Sequence, residues 1–184
     1  AVAKLQALKV GALYMEMGTG KTRTALDLIA TRVNAGKVDR VLWLCPYSVK
    51  LTIQREIEKH AVDGLTVTRI EGIESLSNSV RLNRELLQYV QTYRVFLVVD
   101  ESNLIKNHRA QRASAIERLA GFCAYKLLLN GTPLSKSEKD LFAQASLFVD
   151  LPRCRRYPIW VTHSACETGS AVIAAQIWNM PSCI

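Results

Sequence analysis

The sequence predicts an α/β domain, a parallel β-sheet flanked by helices on both faces. Short apolar runs alternate with longer amphipathic stretches through residues 11–148, the pattern of successive βαβ units. Two runs, residues 41–45 and 95–99, are apolar at every position, as strands covered on both faces must be. The 184 residues, 49% hydrophobic and 22% charged, are enough to bury one core and exclude a mainly disordered, collagen-like or coiled-coil chain.

The elements follow in order. Residues 11–15 form an apolar run that ends at a glycine-rich turn. Helical periodicity occupies residues 22–35, with Ala25, Leu28, Ile29 and Val33 on one face and Gly36 placed to stop it. After the strand 41–45, Pro46 and Tyr47 lead into a second helix, with Ser48 as its cap and Leu51, Ile53 and Ile57 as its apolar positions. Residues 65–70 alternate like a strand. Helix 79–93, strand 95–99, helix 110–120, strand 126–129 and helix 137–148 complete the series. Beyond Asp150 only a weak apolar stretch, 171–178, stands out. Residues 1–150 are therefore read as the domain, and 151–184 as a tail of uncertain structure, expected to pack loosely.

Lys and Arg number 24 against 16 Asp and Glu, a net charge of +8. Such a balance favours nucleic acid or another acidic partner through long-range attraction. No apolar run reaches the roughly 18 residues of a membrane span, and no signal peptide precedes residue 10, so no membrane partner and a cytoplasmic location are expected. The first residue is alanine, which leaves open that the chain is a fragment. The five cysteines lack CxxC spacing and suit reduced thiols. Cys45 and Cys123 read as core residues, and Cys154, His163, Cys166 and Cys183 match no familiar zinc spacing.

The residues that carry chemistry lie at strand ends. Gly18, Thr19, Gly20, Lys21 and Thr22 stand between a strand and a helix. Glycines there let backbone N–H groups turn inward around phosphate oxygens, and the following helix presents its positive end. Lys21 would reach the β- and γ-phosphates of a nucleotide, and Thr22 would hold Mg²⁺. Asp100 and Glu101 end the strand 95–99; Asp100 suits a metal ligand and Glu101 a group that polarises water. Asn130, Gly131 and Thr132, before Pro133, end the strand 126–129 and are placed to sense a γ-phosphate. Taken singly, the three have plainer readings: a glycine turn, a solvated acidic strand end and a Gly-Thr-Pro turn.

Together and in this order they resemble motifs I, II and III of superfamily-two helicases. The flanking residues resemble Swi/Snf-type DNA translocases, and residues 72–77 (GIESLS) resemble a segment of their bacterial or phage members. Residues 15–22 (MEMGTGKT), including Met17, resemble motif I, and residues 42–49 (LWLCPYSV) resemble motif Ia. Asp100-Glu101-Ser102 with Ile105-Lys106-Asn107 resembles motif II, and Leu129 to Leu134 with Asp140-Leu141-Phe142 resembles motif III. Ser102 and Asn103 stand where Ala-His is usual, Asn130 where Thr or Ser is usual, and Met15 where the strict phosphate loop has glycine. The resemblance implies a RecA-like fold and the cofactors ATP and Mg²⁺. It also implies sequence-independent contact with duplex DNA through Pro46, Tyr47 and Ser48, and less directly through residues 72–77. Lys50, Arg55 and Lys59 would add basic attraction, unless they are simply a solvated helix face. No residues here match motifs IV to VI, so a second RecA-like lobe, in cis or in trans, would supply the arginine finger. The rival reading is a nucleotide- or DNA-binding module unable to hydrolyse ATP alone.

Overall fold

The computed structural model describes residues 2–15, 18–60, 68–100, 111–131, 161–165 and 171–175. Glu16, Met17, Glu101, Thr132, the segments resembling motif II beyond Asp100 and motif III beyond Gly131, and the expected helix 137–148 lie outside them.

The chain runs α1 (Val2–Leu5), β1 (Val10–Tyr14), α2 (Lys21–Asn34), β2 (Arg40–Cys45), a 3₁₀ turn (Tyr47–Val49) and α3 (Lys50–His60). It continues through β3 (Thr68–Gly72), α4 (Ser75–Asn78), α5 (Val80–Thr92), β4 (Val95–Val99), α6 (Gln111–Phe122) and β5 (Tyr125–Asn130). Two further strands follow, β6 (Val161–Ala165) and β7 (Ala171–Ala175).

The sheet order is β3-β2-β4-β5-β1-β7-β6. The first five strands pair in parallel, and β7 joins β1 antiparallel through Tyr14 and Ala171, with β6 antiparallel beyond it. The tail thus carries two strands where the sequence pattern marks only the stretch 171–178.

Alternation along each strand sends side chains to opposite layers. Leu42, Leu44, Val95, Leu97, Val99, Ala12 and Leu128 meet Leu76, Leu86, Val90, Ile116 and Leu119 of α4, α5 and α6. Val41, Trp43, Phe96, Val98, Leu13 and Leu129 meet Leu5, Leu26, Ile29, Ile53 and Ile57 of α1, α2 and α3. The helices therefore cover both faces, and β2 and β4, flanked on both sides, need to be apolar at nearly every position.

Two local expectations change. Ser48 does not cap a helix; it lies within the 3₁₀ turn that Pro46 opens, because a proline with extended ψ at the turn's start already fixes the entry of the chain. The third strand lies at Thr68–Gly72, its end two residues beyond the expected one, because the ladder to β2 runs on to Cys45 and Gly72.

Candidate functional site

The parallel order places three strand ends side by side. β4, β5 and β1 are neighbours, and each leads from its carboxyl end into one of the three sequence groups, as ligand sites of open parallel sheets do. Val99 pairs with Leu128, and Tyr14 pairs with Asn130. The strand carrying Asn130 and Gly131 therefore lies between the strand that leads to the glycine loop and the one that leads to Asp100.

At the end of β1 the chain turns through Gly18 (φ 79°) and Gly20 (φ 87°). Both angles are left-handed, where a Cβ is strained, and Gly20 is the N-cap of α2. Thr24 N–H donates to the Gly20 carbonyl at 2.9 Å, which starts the helical ladder, and Thr24 Oγ1 donates to the same oxygen at 3.0 Å. Lys21 and Thr22 occupy the first turn of α2, half-buried beside the exposed Gly18, Thr19 and Gly20. The Lys21 ammonium donates to the Met15 carbonyl at 2.8 Å. A Cβ added to Gly131 would lie 3.8 Å from Lys21 Nζ and 3.9 Å from the Met15 oxygen, so Gly131 walls the seat of the lysine. Met15 N–H in turn donates to the Asn130 carbonyl at 3.0 Å.

Asp100 is 8% exposed, and its N–H donates to the Leu44 carbonyl at 2.7 Å. Asn130 is buried outright. The Asp100 charge also acts on its surroundings. Burial, and then Asp100, push the Cys45 thiol up to about 12. Burial alone pushes Tyr14, at the end of β1, to about 12.

The residues resembling motif Ia lie on the other side of β4. Pro46 is buried, whereas Tyr47 and Ser48 are exposed. Tyr47 N–H donates to Glu74 Oε2 at 2.9 Å, and Ile73 N–H donates to the Cys45 carbonyl at 2.8 Å. The segment 72–77 is thus docked directly onto the motif Ia turn, bringing together the two stretches expected to touch DNA. Lys50, expected as a basic contributor, is held by Glu71 at 3.1 Å; Arg55 and Lys59 are exposed. Sequence reasoning missed the Met15 carbonyl, Glu71 and Glu74. Glu74 lay inside a stretch already marked, but its partner is 27 residues away and follows from strand register alone.

A helix-flanked parallel sheet, with a Gly-Thr-Gly-Lys-Thr loop, a buried aspartate and an Asn-Gly turn on three adjoining strand ends, defines a RecA-like P-loop lobe. The chain matches the family model of the SNF2-related domain over residues 3–163, and it belongs to that family of superfamily-two helicase-like ATPase domains. Two solved structures share the fold. One is the SWI2/SNF2 ATPase core of Sulfolobus solfataricus in complex with double-stranded DNA, 21% identical with a TM-score of 0.63 over 79% of this chain and 33% of that one. The other is the core domain from the same organism, 20% identical with a TM-score of 0.60 over 80% and 32%. This chain spans about a third of the length of each. No curated protein matches it. Among the described residues no helix is long and apolar enough to cross a membrane.

Proposed function

We propose that residues 1–150 are the first, ATP-binding lobe of a cytoplasmic Swi/Snf-type DNA translocase, of bacterial or phage kind. With a second RecA-like lobe, in cis or in trans, it couples ATP hydrolysis to movement along duplex DNA. The observation that carries this reading is the adjacency of β4, β5 and β1, which gathers Lys21, Asp100 and Asn130 at the carboxyl end of the sheet.

The residues present fit ATP and Mg²⁺. Left-handed Gly18 and Gly20 and the start of α2 offer main-chain donors to phosphate oxygens. Lys21 is held where it can exchange a carbonyl oxygen for phosphate oxygens. Thr22 and Asp100 are the residues that would hold the metal. Bound Mg²⁺ supplies neutralisation of the charge on the phosphoryl group being transferred. Glu101 polarises the attacking water, and Asn130, Gly131 and Thr132 register the γ-phosphate. The turn of Pro46, Tyr47 and Ser48 contacts the DNA backbone, without base readout.

The test has two stages. The purified chain is titrated with ATP–Mg²⁺, and turnover is then measured with duplex DNA, alone and with a separately purified second lobe. Binding by the chain alone, with DNA-stimulated turnover appearing only with the second lobe, is expected. A folded chain that binds no nucleotide would overturn the reading. Nucleotide or DNA binding without turnover in any combination would favour a non-hydrolysing binding module.

A further inference from the structure

The motif Ia turn and the end of β3 are joined by two contacts between a donor and a carboxylate. Tyr47 N–H, at the first position of the 3₁₀ turn, donates to Glu74 Oε2 at 2.9 Å. Lys50 Nζ, at the first position of α3, donates to Glu71 Oε2 at 3.1 Å. These are a main-chain donor and a cation through which this turn would meet a phosphate group. Both are engaged by carboxylates from one short stretch of chain. The arrangement is tightly built: a Cβ on Gly72 would come within 3.0 Å of Tyr47 Cδ2 and 3.2 Å of Ser75 Oγ, so the tyrosine ring lies against bare backbone.

We infer that Glu74 and Glu71 occupy the places that DNA phosphates take at this turn, so that duplex binding exchanges one set of anions for another. The two glutamates thereby set how tightly, and at what ionic strength, the lobe holds the DNA backbone. The inference rests on the DNA role proposed above for Tyr47 and Ser48. The exchange is chemically easy. Glu71 keeps a partner when Lys50 leaves, because Arg69 Nε donates to its other oxygen at 2.9 Å. Glu74 meets Tyr47 at an exposed position, where water can replace the lost bond. A carboxylate left beside an arriving phosphate also repels it, so the pair acts against binding even after displacement.

The test measures binding of the full chain to a fluorescein-labelled duplex of arbitrary sequence, by anisotropy, across a salt series. Glu74→Gln keeps an acceptor of the same shape but removes the charge, and it should tighten binding about three- to tenfold at low salt. Glu71→Gln frees Lys50 and should steepen the salt dependence by about one phosphate contact. Glu74→Ala separates exchange from scaffolding: it tightens binding if the carboxylate competes, and weakens it if the carboxylate only shapes the turn. A duplex affinity of Glu74→Gln equal to or weaker than that of the unaltered chain overturns the inference and leaves the DNA role standing. Absence of duplex binding by every chain, each shown to be folded by circular dichroism, overturns the DNA role and the inference with it.

Discussion

The Lys21 ammonium donates to the main-chain carbonyl of Met15 at 2.8 Å, across the loop that separates them. The N–H of that same Met15 donates to the Asn130 carbonyl at 3.0 Å. One residue therefore links the lysine of the glycine loop to the end of β5, with Gly131 beside both. In the reading proposed above, a bound nucleotide would draw Lys21 off Met15, and the first place to feel that change would be the strand end carrying Asn130 and Gly131.

Replacing Lys21 by alanine removes the cation proposed to face the β- and γ-phosphates. The chain should stay folded, since the side chain is only half-buried, and ATP–Mg²⁺ affinity should fall at least about fivefold. Calorimetric titration of the folded variant checks this. An unchanged affinity would show that the glycine loop is an ordinary turn.

Hydrolysis by the isolated chain should be very slow. An arginine finger contributes about 10³ to 10⁵ in rate to phosphoryl transfer, and in the proposed motor it comes from the second lobe. Steady-state phosphate release, with and without duplex, measures this. Brisk DNA-stimulated turnover by a verified monomer would mean that the second lobe is unnecessary.

Arg32 illustrates what the sequence pattern could not show. It lies within the amphipathic repeat of α2, yet it is 5% exposed, with its guanidinium 3.8 Å from the Tyr125 ring centroid. It donates to the Leu5 carbonyl at 2.9 Å and to the Leu8 carbonyl as well, closing the end of α1. Arg32→Ala should cost about 2–4 kcal/mol, through lost stacking and orphaned carbonyls. Lysine should restore little of it, because it lacks the planar fork. Urea unfolding of both variants decides the point; full rescue by lysine would refute the stacking account.

The inner strands were legible because burial on both faces leaves an unbroken apolar run: β4 lies at Val95–Val99, where the sequence pattern puts it. Helix 79–93 was legible too, and begins at Val80 because Ser79 is its cap, accepting from Leu82 N–H at 3.1 Å. The single-turn helices α1 and α4 were not, since four residues carry no period. In the candidate site, the glycine loop, Asp100 and Asn130 were legible from local spacing. The contacts of Glu74 with Tyr47 and of Lys50 with Glu71 were not, because they exist only once β2 and β3 are in register.

Alkaline stability should follow the buried thiols and Tyr14. Burial pushes Cys45, Cys123 and Tyr14 up to about 12, against ordinary values of 9.0 for the thiols and 10.0 for the phenol. From about pH 9 upward the unfolded chain loses protons that the folded chain keeps, so stability falls as pH rises toward 12. Below pH 9 these groups add no slope. Urea midpoints across this range should decline, less steeply in a Cys45→Ala, Cys123→Ala double variant. An equal decline in that variant would assign the effect elsewhere.

The last prediction concerns the chain beyond residue 150. β7 meets β1 through Tyr14 and Ala171, whereas the parallel ladder on the other side of β1 runs from Val10 to Tyr14. The two-stranded ribbon of β6 and β7 is thus joined to the rest of the sheet at one residue pair. A ribbon held so briefly opens more readily than a strand paired along its length on both sides. Amides of 171–175 should therefore exchange far faster than those of Val95–Val99, and truncation at residue 150 should leave ATP affinity nearly unchanged. Truncation also uncovers the outer edge of β1, a template for pairing with another chain, so the shortened protein should self-associate more. Hydrogen exchange and light scattering measure the two effects. Protection at 171–175 as strong as in β4 would place these strands in the folded core and extend the domain past residue 150.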